Sequence, residues 1–149
     1  MINRTENIVV QTVARLIMPF IQLFGLYVLI HGHSSPGGGF QAGVILGASF
    51  ILWIIAYDLA SARQRLSERL NIFYSGLGVI IYSGIGLLCL LLGGYYLDYT
   101  KLPLGMSAPQ TRSYGILGIE IGVGITVMAV MVIIFVNISA HGVDNKNSD

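Results

Sequence analysis

Ionisable side chains are scarce in the long apolar runs of this sequence, so each one found there is a candidate for handling protons or ions. Glu120 is the foremost. It stands between Gly118, Gly122 and Gly124 in an apolar run from Tyr114 to Ile138. A carboxyl group at that place can take up and release a proton or ligate a cation, and the neighbouring glycines are expected to leave room for a water, an ion or a close helix. The plainer alternative is that the helix starts later and Glu120 sits at the membrane–water interface. Asp58 closes another apolar run beside a basic segment; it is a second candidate for an ion path, with a solvated helix end as its plainer role. Arg15 interrupts the first apolar run, and snorkelling toward the headgroups accounts for it.

His31 and His33 open the run His31-Gly32-His33-Ser34-Ser35-Pro36-Gly37-Gly38-Gly39-Phe40-Gln41-Ala42-Gly43. Imidazoles can relay protons near neutral pH, so both are ion-path candidates. Two histidines without a third ligand type nearby make a poor metal site, and no metal is expected. Gln41, just inside the next apolar run, is at a depth that Glu120 could approach if their helices are neighbours. Gly37, Gly39 and Ala42 fit the G-x-G-x-x-A spacing of dinucleotide sites, but that fingerprint needs a preceding strand within a βαβ unit, and an apolar helix precedes it. No nucleophile stands with a matched base, and the loop holds no carboxylate to orient a histidine as a triad requires. Cys89, the single cysteine, lies among leucines and reads as an apolar filler. No catalysis and no cofactor are expected.

The elements that must position these residues are membrane helices. Of the 149 residues, 54% are hydrophobic and only 10% charged, where a soluble domain carries roughly a quarter charged residues. A near-neutral net charge gives no reason to expect a nucleic-acid partner. Four continuous apolar segments, at about 8–30, 40–59, 72–97 and 114–138, are each near the ~20 residues needed to cross a bilayer. Lipid demands that backbone groups pair internally, so the expected fold is all-α with four transmembrane helices in a single domain over 1–149. By the same helical rise, Glu120 lies roughly 9 Å below one boundary of the fourth span.

Lys and Arg in short loops set the orientation. Arg63, Arg65 and Arg69 stand between the second and third segments, with Arg4 and Lys146 near the ends, while the first loop holds no Lys or Arg and the third holds Lys101 and Arg112; both termini are therefore expected in the cytoplasm and the glycine-rich loop outside. Leu59, Leu66 and Leu70 have the spacing of a short amphipathic helix on the inner headgroups, with a plain basic turn as the alternative. Gly39, Gly43 and Gly47 fall on one face of the second helix, and Gly118 and Gly122 on one face of the fourth. Such small-residue faces let helices approach closely; some of them are expected to meet other subunits, with a self-contained bundle as the plainer alternative.

The run HGHSSPGGGFQAG closely resembles the signature loop of the MrpB (MnhB) family, small subunits of multisubunit Mrp-type cation/proton antiporters. Chain length, four helices and the loop's position between the first two helices agree, so the resemblance spans nearly the whole chain. Pro36, Gly37, Gly38, Gly39, Phe40, Gln41 and Gly43 match the motif. The resemblance implies a multi-pass subunit of a hetero-oligomeric complex in the bacterial plasma membrane, with the other antiporter subunits and the lipid bilayer as partners, exchanging internal Na⁺ (or Li⁺) for external H⁺. It also implies relatives in membrane-bound hydrogenases and similar respiratory complexes. A self-assembling proton carrier is a third class; a carboxylate near one edge of the membrane fits it poorly.

Overall fold

The computed structural model describes residues 4–32, 37–57 and 68–146, with side chains over 8–32, 37–57 and 69–139. Four helices follow in order: α1 (Arg4–His31), α2 (Gly39–Tyr57), α3 (Glu68–Leu91) and α4 (Ala108–Lys146), with a short 3-10 turn at Tyr99–Lys101 before α4. Each contains a stretch long and apolar enough to cross a membrane. The chain is an all-α, four-span membrane protein.

The first two helices stop and start where the glycine-rich loop demands. α1 ends at His31 and α2 begins at Gly39, where the Ala42 N–H donates to the Gly38 carbonyl (2.9 Å). Later boundaries differ from expectation: α3 begins at Glu68 rather than 72 and α4 runs on to Lys146 rather than 138, and two further differences have clear local causes. α3 ends at Leu91, not at 97. Gly93 takes φ +80°, and the N–H groups of Gly93 and Gly94 turn back onto the carbonyls of Leu90 (3.0 Å) and Cys89 (3.1 Å). That double bond with a left-handed glycine is a Schellman stop; the apolar residues beyond it form a connection. α4 begins at Ala108 rather than 114. Pro109 sits in its first turn, where a missing N–H is harmless, and the Thr111 N–H donates to the Ser107 carbonyl (2.9 Å). Gln110, Thr111 and Arg112 lie outside the apolar run, and the helix extends past it as a polar stalk.

α4 is the axis of the fold. α2 and α3 both pack along it, α1 packs on α2, and α1 makes few contacts with α4, among them Leu29 at Gly124. The α3 side of α4 carries Gly118, Gly122 and Thr126: a Cβ on Gly118 would meet Ile85 at 2.8 Å, and one on Gly122 would meet the Gly78 carbonyl at 2.9 Å. Thr126 Oγ1 donates to the Gly122 carbonyl (3.0 Å) and lies 3.4 Å from the Ser75 carbonyl, tying the two helices through a polar contact. The α2 side carries Glu120, Gly124, Val127 and Met131. A Cβ on Gly43 would stand 2.7 Å from the Gly124 carbonyl, and one on Gly47 would stand 3.3 Å from Met131 Cβ. At 100° per residue these two sets fall on opposite sides of α4.

Gly43, Gly47, Gly118 and Gly122 therefore pack helices of this chain together; the expectation that such faces meet other subunits does not describe them. Gly76 and Gly84 on α3 do face open space. Toward the other end of the α2–α4 seam, Ile54 and Val132 with Phe50, Trp53, Phe135 and Val136 fill the gap. Backbones thus touch at the glycine-loop end and large side chains separate them further along. α1 joins through Gly25 against Leu46 and through Gln22, whose Nε2 lies 3.4 Å from the buried Ser49 hydroxyl. The helices stand side by side as α1, α2, α4, α3 rather than closing into a bundle. Large apolar side chains such as Leu16 (64% exposed), Phe20 (66%) and Ile80 (67%) are consequently left on the outer faces.

Candidate functional site

Where the end of α1 and the start of α2 meet the first half of α4, three glycines close on Glu120, two of them on its carboxyl group. A Cβ on Gly32 would fall on Glu120 Oε2 and 2.5 Å from Oε1; one on Gly38 would stand 2.8 Å from Oε1. Oε2 is buried. Gly39 presses on the backbone instead: its Cβ would overlap the Glu120 carbonyl oxygen and stand 2.7 Å from Glu120 Cα. One turn further on, Gly124 receives the Gly39 carbonyl, 3.2 Å from where a Cβ would be, and Leu29 of α1. The side chain is thus seated in a notch that only residues without side chains at 32 and 38 leave open.

The glycines around Glu120 are not those its sequence neighbourhood suggested. Gly118 and Gly122 lie two residues away, hence about 200° around the helix, and face α3. The space at the carboxyl group comes from Gly32 and Gly38, far away in sequence. Gly32 belongs to the motif run, but its proximity to Glu120 left no signal in a single sequence. The only available cue was a glycine directly following the last residue of a helix.

The other candidates are distributed around this notch. His31, one residue before Gly32, stacks on Tyr27 (centroids 4.2 Å apart), and its Nδ1 lies 3.0 Å from the Tyr27 carbonyl. A carbonyl only accepts, so this contact places a proton on Nδ1. Gln41 is exposed, and its amide oxygen folds toward Gly37, 2.7 Å from where a Cβ would stand there; Gly37 has φ +135°, a conformation natural to glycine. Gln41 does not line the notch among the contacts that close it on Glu120. Phe40 is 66% exposed on the outside of α2. Arg15 is exposed on α1, and Pro19 four residues on cannot donate to the Arg15 carbonyl. His33, Pro36 and Asp58 lie outside the described residues, as do Leu59, Arg63, Arg65 and Leu66 of the supposed amphipathic segment.

Between α3 and α4 the connection folds over the glycines of both helices. Tyr96 covers Gly86 and Tyr99 covers Gly115. Asp98 caps the 3-10 turn by accepting from the Thr100 hydroxyl (2.5 Å) and backbone N–H (3.3 Å). The Thr100 hydroxyl, above all, holds the Asp98 carboxyl below the usual carboxylate range.

A family model described as a domain related to the MnhB subunit of Na⁺/H⁺ antiporter matches residues 9–133. The chain belongs to the MnhB family. It is 32% identical over 137 residues to a Na⁺/H⁺ antiporter subunit of Bacillus subtilis, covering 88% of this chain and 95% of that protein. It is 29% identical over 133 residues to the antiporter subunit mnhB2 of Staphylococcus aureus strain Newman, covering 84% and 94%. Among solved structures it resembles a chain of the membrane-bound sulfane sulfur reductase, an archaeal respiratory membrane complex, with a TM-score of 0.55 and 31% identity. That likeness covers 80% of this chain and 55% of the other. As an MnhB protein with four apolar spans, the chain is a multi-pass protein of the bacterial plasma membrane.

Proposed function

We propose that this MnhB protein is a non-catalytic subunit of an Mrp-type antiporter, assembled with the other subunits of that complex, which exchanges internal Na⁺ or Li⁺ for external H⁺. Within it, the Glu120 carboxyl is the group that takes up and releases the transported proton. The observation that carries this role is the notch: α1, α2 and α4 converge on one carboxyl group, and the residues facing it, Gly32 and Gly38, are those that leave it space. A charge at membrane depth costs about 2.5–3.5 kcal/mol on insertion scales, which makes an ionisable residue there a functional candidate. The arginine-rich 2–3 connection puts the notch end of the molecule outside, the side from which protons enter. No cofactor is required for this exchange.

Deleting the chain tests the assignment. The tagged protein is expected to copurify with larger membrane subunits in mild detergent, and vesicles lacking it are expected to lose Na⁺/H⁺ exchange; undiminished exchange overturns the assignment. The likeness to the archaeal respiratory complex supports a second reading, a subunit of a redox-driven ion pump. Copurifying metal–sulfur subunits with redox activity would replace the first reading with this one.

A further inference from the structure

A cleft of about 550 Å³ opens beside the notch, lined by Ile30 from the last turn of α1, Met106 before α4, and Gln110, Ser113, Tyr114 and Leu117 on α4. We propose that this cleft is the water-filled entrance through which external protons reach Glu120, an inference that rests on the reading of Glu120 as the proton-handling group. Two observations support it. On α4, Gln110, Ser113, Leu117, Glu120 and Gly124 recur at three- and four-residue intervals and so share one side of the helix. The end of α1 serves both places: Ile30 lines the cleft, while Leu29 meets Gly124 and Gly32 meets the carboxyl group. The cleft and the notch are therefore built from the same two elements, with Leu117 one turn from Glu120 on α4.

The chemistry of the walls fits water rather than a bare cation. The walls are mixed: Gln110, Ser113 and Tyr114 are neutral hydrogen-bonding groups, able to hold waters without binding a cation tightly, set among the apolar Ile30, Met106 and Leu117. Among the described residues, the titratable or charged side chains on the last turns of α1 and the first turns of α4 are Tyr27, His31, Arg112 and Tyr114, besides Glu120 itself. The first two turns of α2 carry none, and α3 meets the opposite side of α4. Ser107 holds the rim in place by donating its hydroxyl to Gln110 Oε1 (2.9 Å).

Single cysteines in the whole complex, placed in a background in which the buried Cys89 is replaced by alanine, test the entrance. In vesicles exposing the glycine-loop side, a membrane-impermeant cationic thiol reagent is expected to modify Ser113→Cys and lower its Na⁺/H⁺ exchange at least tenfold relative to the same vesicles before treatment. Modified Lys101→Cys, in the exposed connection, is expected to show no such fall. Gln110→Cys, on the same wall, serves if Ser113→Cys does not assemble. A thiol at these positions that does not react, that reacts without loss of exchange, or whose effect is matched at Lys101→Cys overturns the entrance. In each of those cases, loss of exchange in Glu120→Gln leaves the Glu120 reading standing, whereas intact exchange in Glu120→Gln removes that reading itself.

Discussion

The carboxyl group of Glu120 occupies the place that a side chain at position 32 would take: a Cβ on Gly32 would lie 2.5 Å from Oε1 and closer still to Oε2. Eighty-eight positions separate the two residues in sequence, and the convergence of α1 and α4 brings them into contact. The end of a flexible side chain can move aside at little cost. Gly32→Ala is therefore expected to leave the complex assembled while displacing the carboxyl, with exchange falling severalfold at matched abundance. Blue-native gels and vesicle transport separate the two effects; a complex that falls apart, or exchange at the parental rate, contradicts this.

Gly39 and Gly43 present the opposite case, because the atoms they meet are backbone. A Cβ on Gly39 would overlap the Glu120 carbonyl, and one on Gly43 would stand 2.7 Å from the Gly124 carbonyl. Backbone cannot turn aside, so α2 and α4 must separate. Overpacking of this kind costs about 1–3 kcal/mol, and Gly39→Ala or Gly43→Ala is expected to lower the melting temperature of the subunit in detergent. Gly76→Ala and Gly84→Ala, which meet nothing within 4 Å, are expected to leave it unchanged when the subunit is purified alone. Equal shifts for both pairs would refute the seam described for α2 and α4.

Much of this was legible in the residues, and what was not has physical reasons. Four apolar runs specify four spans, since lipid leaves helices no alternative in such segments. The loop's Pro-Gly-Gly-Gly run marks the break between α1 and α2. The end of α3 was written in Gly93-Gly94 but masked by the apolar residues beyond, because interfacial and membrane-buried stretches share a composition. The start of α4 was hidden for the converse reason, a polar first turn that is helical but lies outside the apolar run. Glu120 could be singled out from its type and depth alone. Which glycines face it could not, because sequence proximity on a helix puts residues two apart on opposite sides, and the convergence of three helices is a property of packing.

The connection before α4 should respond to acid. Thr100 holds the Asp98 carboxyl below its ordinary range, so ionised Asp98 favours the folded turn. That contribution is fully present above the ordinary carboxylate range and is lost as pH falls through the depressed value of the folded state. Amide exchange at residues 98–102 is expected to quicken selectively on acidification below the ordinary carboxylate range, after correction for the intrinsic pH dependence of exchange. Thr100→Val, lacking the hydroxyl, is expected to shift that onset to higher pH. An onset unmoved by the substitution contradicts the capping role.

The most direct measurement of the account is Na⁺/H⁺ exchange in vesicles carrying Glu120→Gln, set beside Asp58→Asn and the parent at matched abundance of the assembled complex. Glutamine keeps the shape of the side chain in its glycine notch and removes only its ability to carry a proton. Exchange is expected to fall at least tenfold in Glu120→Gln, to fall much less in Asp58→Asn, and to return in part with Glu120→Asp. Exchange in Glu120→Gln equal to that of the parent would contradict the central claim.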